Sequence, residues 1–153
     1  RTTERDLGDG LPPISDLIQA GARLCVGVDS HAGENAFEEM RAVEFDERSR
    51  LESRHAVAEA SVLLDAATRV GYAACDLEGC RNEDRVTLKV DDPSIVGIDE
   101  SSGGVAIVFR ATPRAVDEVI VNGKSIVNDG VHEQYKTTCH HYLGVLRKLG
   151  LMP

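Results

Sequence analysis

The stretch Leu24-Cys25-Val26-Gly27-Val28-Asp29-Ser30-His31 decides how the fold of this chain is interpreted. Its first five residues are all apolar, which is typical of a strand buried on both faces in a parallel sheet. A carboxylate, a hydroxyl and an imidazole follow, and the carboxyl ends of such strands hold ligands and metals. We therefore expect a buried strand over 24–28 and a functional Asp29. The alternative is an Asp29 that caps a loop beside a surface His31.

The composition excludes several classes of partner. The chain has 153 residues, of which 42% are hydrophobic, enough for one domain with a sizeable core. Its formal net charge of -9 argues against nucleic acid and anionic membranes, which both reward a basic surface. We see no apolar run of the ~20 residues that a membrane span needs, and we expect no signal peptide. The four cysteines fit a reducing cytoplasm better than a disulfide framework.

Helices are expected on both sides of the predicted strand. Residues 1–13 contain glycines and prolines without a period and are expected to form a loop. Ser15 is expected to cap a short helix through Ala20. Asn35 is expected to cap an outer helix over 36–52 with a solvated face, and a second, well-buried helix is expected over 56–74.

Strand signals follow in the second half of the chain. The predicted strands are 86–90, 105–109, 118–121 and 124–127. Asn122-Gly123 between the last two is a strong signal for a type I′ hairpin. A C-terminal helix is predicted over 132–149. A single helix–strand step cannot make a parallel sheet, so the neighbours of strand 24–28 must come from a longer polypeptide or from another chain.

Three stretches resemble the amidohydrolase superfamily, namely residues 27–31, 63–71 and 119–130. Within it, the chain most resembles the formimidoylglutamate deiminase family. The closer signs are Thr-Thr-Glu-Arg-Asp-Leu-Gly-Asp-Gly at 2–10, Asp-Ser-His at 29–31 and Asp-Asp-Pro-Ser at 91–94. The chain departs from that family at 83–85. The family has an alanine before the aspartate and an apolar strand after it, whereas here Glu83 precedes Asp84 and Arg85 follows it.

The resemblance implies an α/β fold that is the C-terminal part of a larger protein. Residues 1–75 would end a (β/α)8 metal-dependent hydrolase barrel. Residues 76–130 would supply strands of a small β-sandwich, and 131–153 would form the C-terminal helix. The implied partners are a small-molecule substrate, the remaining N-terminal part of the enzyme and a second copy in a homodimer, with neither nucleic acid nor membrane.

The resemblance also implies a site. Asp29 would be a metal ligand and the proton acceptor of catalysis, and Ser30 and His31 would line the pocket beside it. Glu4 and Arg5 would contact substrate from the loop after the seventh strand, where an arginine fork suits a carboxylate. The alternatives are a solvated Arg5 and a Glu4 that caps a turn. The cofactor would be one zinc ion whose ligands lie mostly elsewhere, because the chain contains no His-x-His pair.

The implied function is hydrolysis of the formimino group of N-formimino-L-glutamate to N-formyl-L-glutamate and ammonia, in histidine degradation. One alternative is another deaminase or chlorohydrolase of the same superfamily that acts on a heterocycle. The other is a truncated fragment without catalysis. Most of the groups that would separate these functions lie outside the chain.

Overall fold

The computed structural model describes residues 1–29, 33, 35–57, 59–77, 79 and 83–153. Seven helices and four strands occur in these ranges, together with a short 3-10 turn at Pro113–Ala115. The helices are α1 Thr2–Leu7, α2 Ile14–Gln19, α3 Ala36–Leu51, α4 Ala60–Ala67, α5 Arg69–Ala74, α6 Gly103–Phe109 and α7 Tyr135–Lys148. The strands are β1 Arg85–Leu88, β2 Val116–Val121, β3 Lys124–Asn128 and β4 Val131–His132.

The main core lies between α3, α4 and α6. Its buried side chains come from all three helices and include the fully buried Leu63 and Val108. A smaller apolar cluster around Ile95 packs beside the start of β2. Apolar burial of this kind is the dominant stabilising term of a fold. Leu24 and Val26 pack against this core, so it also holds their segment beside α3.

The predicted strand over 105–109 is wrong, because these residues belong to α6. A short, continuous apolar run suits a buried helix as well as a buried strand, and periodicity alone does not separate the two. The predicted helix over 56–74 is interrupted at Thr68, whose φ of -127° and ψ of -94° lie outside the helical region and separate α4 from α5.

The four strands form one antiparallel sheet in the order β1-β2-β3-β4. The predicted hairpin between β2 and β3 is confirmed, with φ of 49° at Asn122 and 73° at Gly123. Asp84, from the stretch that departs from the family pattern, accepts a hydrogen bond of 2.6 Å from the backbone N–H of Asn122 and another from the Tyr72 hydroxyl. β1 therefore forms and pairs with β2 despite the departure.

The predicted buried strand over 24–28 is not present as a strand. These residues have no regular secondary structure, and Cys25 and Gly27 are exposed. A strand exists only through hydrogen bonds to a neighbouring strand, and the described part of the chain places no strand beside this segment. The (β/α)8 barrel and the β-sandwich are accordingly not seen here; the observed fold is α/β, with a small antiparallel sheet and a C-terminal helix.

Two further expectations for the N-terminal half are wrong. The first residues are not all loop, because 2–7 form α1. Helix α2 begins at Ile14, so Ser15 lies inside it instead of capping it. By contrast, the side-chain oxygen of Asn35 accepts a hydrogen bond of 3.2 Å from the N–H of Glu38, which confirms the predicted cap of α3.

Candidate active site

Asp29 lies at the end of segment 24–28, and its side chain is exposed. Its φ is 48°, in the left-handed region that few residues other than glycine adopt, although aspartate tolerates it better than most. Two hydrogen bonds fix the backbone just before it. The N–H of Val26 donates to the carbonyl of Ala66 at 3.3 Å, and the hydroxyl of Thr3 donates to the carbonyl of Val28 at 2.8 Å. Ser30 and His31, the predicted pocket residues, lie outside the described residues.

A cavity of about 290 Å³ lies between this segment and the start of α3. It is lined by Val26, Gly27, Val28, Asn35, Ala36, Glu39 and Ala67. This volume is at the lower end of the range for small-molecule sites. Val28 in its wall directly precedes Asp29, the predicted catalytic residue, which does not itself line the cavity. Among these lining residues Glu39 carries the ionisable side chain, and that side chain is buried.

Glu39 is held by the start of α1. Its carboxylate accepts a hydrogen bond of 3.1 Å from the N–H of Thr2 and another from the Thr2 hydroxyl. Glu39 therefore anchors the start of α1 beside segment 24–28.

Glu4 and Arg5 lie on α1, not on a loop, and Arg5 has a partner on α3. The Arg5 guanidinium is 2.6 Å from a carboxylate oxygen of Asp46 on α3. A hydrogen bond from its own backbone N–H lowers the pKa of Glu4. Arg5 remains 40% exposed, so part of its side chain stays accessible to a ligand.

Four buried carboxylates on α3 are the polar residues that the sequence analysis missed. They are Glu39, Glu44, Asp46 and Glu47. The expectation of an outer helix with a solvated acidic face is therefore wrong for this part of α3. Each of these carboxylates accepts hydrogen bonds from arginine, serine, threonine or backbone N–H groups, which is the condition for burying a charge.

The spacing along α3 was the available signal for this buried face. Glu39 and Asp46 are seven residues apart and so share a face with Val43 between them, which is apolar. The arginines that pair with the α3 carboxylates include Arg1, Arg5 and Arg50. Sequence spacing could indicate the shared face and the pairing of Arg50 with Glu47 three residues away, but it could not identify Arg1 and Arg5 as partners.

The described residues do not fit a metal ion by themselves. No group of three or more possible ligands comes together within the ranges that the structure describes. The four histidines there are all exposed and lie far along the chain from Asp29; they are His55, His132, His140 and His141. A catalytic zinc needs three protein ligands and an open position. Asp29 alone cannot supply them.

No helix in the described ranges is long and apolar enough to cross a membrane.

Two known proteins are similar to almost the whole of this chain. The chain is 30% identical over 159 aligned positions to formimidoylglutamate deiminase of Pseudomonas aeruginosa, a match that covers 97% of this chain and 35% of that protein. An amidohydrolase from Brucella melitensis has the same fold over 97% of this chain and 35% of its own, with a TM-score of 0.81 and 24% identity. No protein-family model matches the chain.

The chain thus spans about a third of the length of these relatives. The resemblance to the amidohydrolase superfamily and, within it, to formimidoylglutamate deiminase is confirmed.

Proposed function

We propose that the chain is the C-terminal segment of a zinc-dependent deiminase. The complete enzyme would convert N-formimino-L-glutamate to N-formyl-L-glutamate and ammonia, in histidine degradation. The similarity to formimidoylglutamate deiminase carries this proposal, because it extends over 97% of the chain and not over one motif. The position of Asp29 directly after Val28, which lines the cavity, supports it.

In this proposal Asp29 is the proton acceptor and a metal ligand. Water adds to the formimino carbon and gives one proton to the Asp29 carboxylate, which passes it to the imino nitrogen. When the bond from the carbon to that nitrogen breaks, the hydroxyl on the carbon gives the nitrogen its remaining proton, a C=O forms and ammonia leaves. Glu4, Arg5, Ser30 and His31 contact the substrate, with Arg5 directed at a carboxylate of the glutamate part. The exposed carboxylate of Asp29 and the partly exposed Arg5 are compatible with these roles.

The rest of the enzyme supplies what the chain lacks. We propose that it contributes the strands that pair with 24–28, the remaining zinc ligands and the other half of the sandwich. Residues 1–75 then complete the barrel, 76–130 belong to the sandwich and 131–153 add the C-terminal helix. A homodimer in the cytoplasm is part of the same proposal. The cheapest check is the coding sequence upstream of Arg1, which should encode a His-x-His pair and two later histidines.

The direct test replaces Asp29 in the complete enzyme. Asp29→Asn should keep the fold and remove almost all ammonia release from N-formimino-L-glutamate, because an amide is a poor base and a weak ligand. Asp91→Asn, at an exposed aspartate near the sheet, is the matched control and should keep wild-type turnover. Near-normal activity of Asp29→Asn would remove Asp29 from the reaction.

A substrate panel separates the proposed function from its alternatives. The wild-type enzyme should release ammonia from N-formimino-L-glutamate and not from aminated purines, pyrimidines or triazines. Turnover of a heterocycle alone would favour another deaminase of the superfamily. The absence of any turnover, with no His-x-His upstream, would favour the fragment without catalysis.

A further inference from the structure

Thr3 makes a contact that the proposed chemistry does not explain. Its side chain is buried, and its hydroxyl donates a hydrogen bond of 2.8 Å to the carbonyl of Val28, 25 residues further along the chain. That carbonyl belongs to the peptide unit that leads into Asp29. The bond therefore controls the direction in which the chain enters the residue proposed to accept the proton.

Asp29 needs such control because of its backbone. A φ of 48° at a residue other than glycine costs free energy and persists where the surroundings fix it. The hydrogen bond from Thr3 and the one from Val26 to Ala66 are the described backbone restraints just before this position. Without the hydroxyl of Thr3, the segment before Asp29 loses one of these two restraints, and it is the one on the peptide unit that leads into Asp29.

Thr3 is itself held in place from α3. The adjacent Thr2 donates its N–H and its hydroxyl to the carboxylate of Glu39, which is 1% exposed. Asp46 on the same helix binds the guanidinium groups of Arg1 and Arg5 on either side. The first turn of α1 is thus fixed to α3 at several points, and Thr3 projects from that fixed turn to the carbonyl of Val28.

We propose that Thr3 is a positioning residue for Asp29, held in place by the contact between Glu39 and Thr2. This inference rests on the proposed role of Asp29 as proton acceptor. The hydroxyl of Thr3 acts through the Val28 carbonyl and does not touch the substrate. Because a misplacement of about 1 Å in a catalytic group lowers rates by roughly a hundredfold, the loss of this single bond should reduce turnover more than substrate binding.

Kinetics of the complete enzyme provide the first test. Thr3→Val, which keeps the shape and removes the hydroxyl, should lower kcat by about 10- to 100-fold while KM changes by less than about threefold. Thr3→Ser, which keeps a hydroxyl, should restore kcat to within about fivefold of wild type. Ser49→Ala is the control, because Ser49 also donates to a backbone carbonyl, that of Phe45 at 3.0 Å, but lies on α3 ten residues beyond the cavity-lining Glu39. It should leave kcat unchanged.

Hydrogen exchange, measured by mass spectrometry on a peptide covering 24–29, provides a second test that needs no turnover. Thr3→Val should speed exchange in this peptide, whereas Thr3→Ser and Ser49→Ala should not. If Thr3→Val folds poorly, Glu39→Gln should give the same acceleration to a smaller degree. Wild-type exchange in both variants would overturn the positioning role, as would equal kcat values for Thr3→Val and Thr3→Ser. Failure of the wild-type enzyme to release ammonia from N-formimino-L-glutamate would refute the proposed function instead, and the exchange result would still decide the role of Thr3.

Discussion

Replacement of Glu47 by glutamine should destabilise the protein at neutral pH and less than half as much at pH 3. The buried carboxylate of Glu47 links α3 to α2. It accepts hydrogen bonds from the Arg50 guanidinium at 2.7 and 2.8 Å and from the hydroxyl and N–H of Ser15 at 2.6 and 3.0 Å. The hydrogen bonds from Arg50 contribute most to lowering the pKa of Glu47 to about 2, burial opposes them, and those from Ser15 assist.

The magnitude follows from that pKa. The difference between 4.5, the ordinary value, and about 2 corresponds to roughly 3 kcal/mol in favour of the charged form when the chain is folded. Arg50 is 26% exposed, so water screens the pair, and we expect about 1–2 kcal/mol. Because the folded pKa lies below the unfolded one, this stabilisation is complete above about pH 5 and is lost as the pH falls towards 2.

Urea unfolding of the complete enzyme at pH 7, 5.5, 4 and 3 measures this effect. The difference in unfolding free energy between wild type and Glu47→Gln should be about 1–2 kcal/mol at pH 7 and should fall by more than half at pH 3. Glu38→Gln, at an exposed position of the same helix, should show little difference at any of these pH values. A Glu47→Gln difference that stays constant with pH would refute the reasoning, because the loss would then come from packing and not from charge.

Two further substitutions test the hairpin and the substrate contact. Gly123→Val should lower the unfolding free energy by about 1–2 kcal/mol without changing kcat. The φ of 73° at this position strains a β-branched residue, and no atom lies within 4 Å of the added Cβ, so the cost comes from the backbone. Loss of activity at an unchanged melting temperature would place the hairpin near the substrate. Arg5→Met should cost about 2–4 kcal/mol in kcat/KM for N-formimino-L-glutamate and little for a neutral analogue. Equal losses for both substrates would mean that Arg5 serves only its ion pair with Asp46.

The sequence was sufficient where the structure depends on local chemistry. Asn122-Gly123 specifies its turn through two residues that tolerate positive φ, so the hairpin could be predicted without knowing what packs against it. The cap at Asn35 is equally local, since one side chain satisfies one backbone N–H three residues on. The C-terminal helix was also found close to its observed bounds, Tyr135–Lys148, from its apolar stripe.

The sequence was insufficient where burial depends on a distant partner. The sequence around a helical carboxylate such as Glu39 is the same whether that carboxylate faces water or accepts a hydrogen bond from a buried N–H. Its partner here, the N–H of Thr2, lies 37 positions away along the chain. The role of Thr3 is hidden for the same reason, because nothing in a threonine near the start of the chain indicates the carbonyl that it will meet. The candidate site is therefore predictable at Asp29, which follows an apolar run, and not at the residues that hold it.

Segment 24–28 supports the fragment interpretation independently of any similarity to known proteins. Five consecutive apolar residues are typical of a strand covered on both faces, yet here Cys25 and Gly27 are exposed and Leu24, Val26 and Val28 are only half-buried. The sheet that the chain does form lies elsewhere, between residues 85 and 132, and does not include this segment. The apolar run thus offers more surface for burial than the described residues cover. Strands from the rest of a barrel would cover it and, by pairing with it, would fix Asp29 at the edge where the proposed chemistry requires a carboxylate.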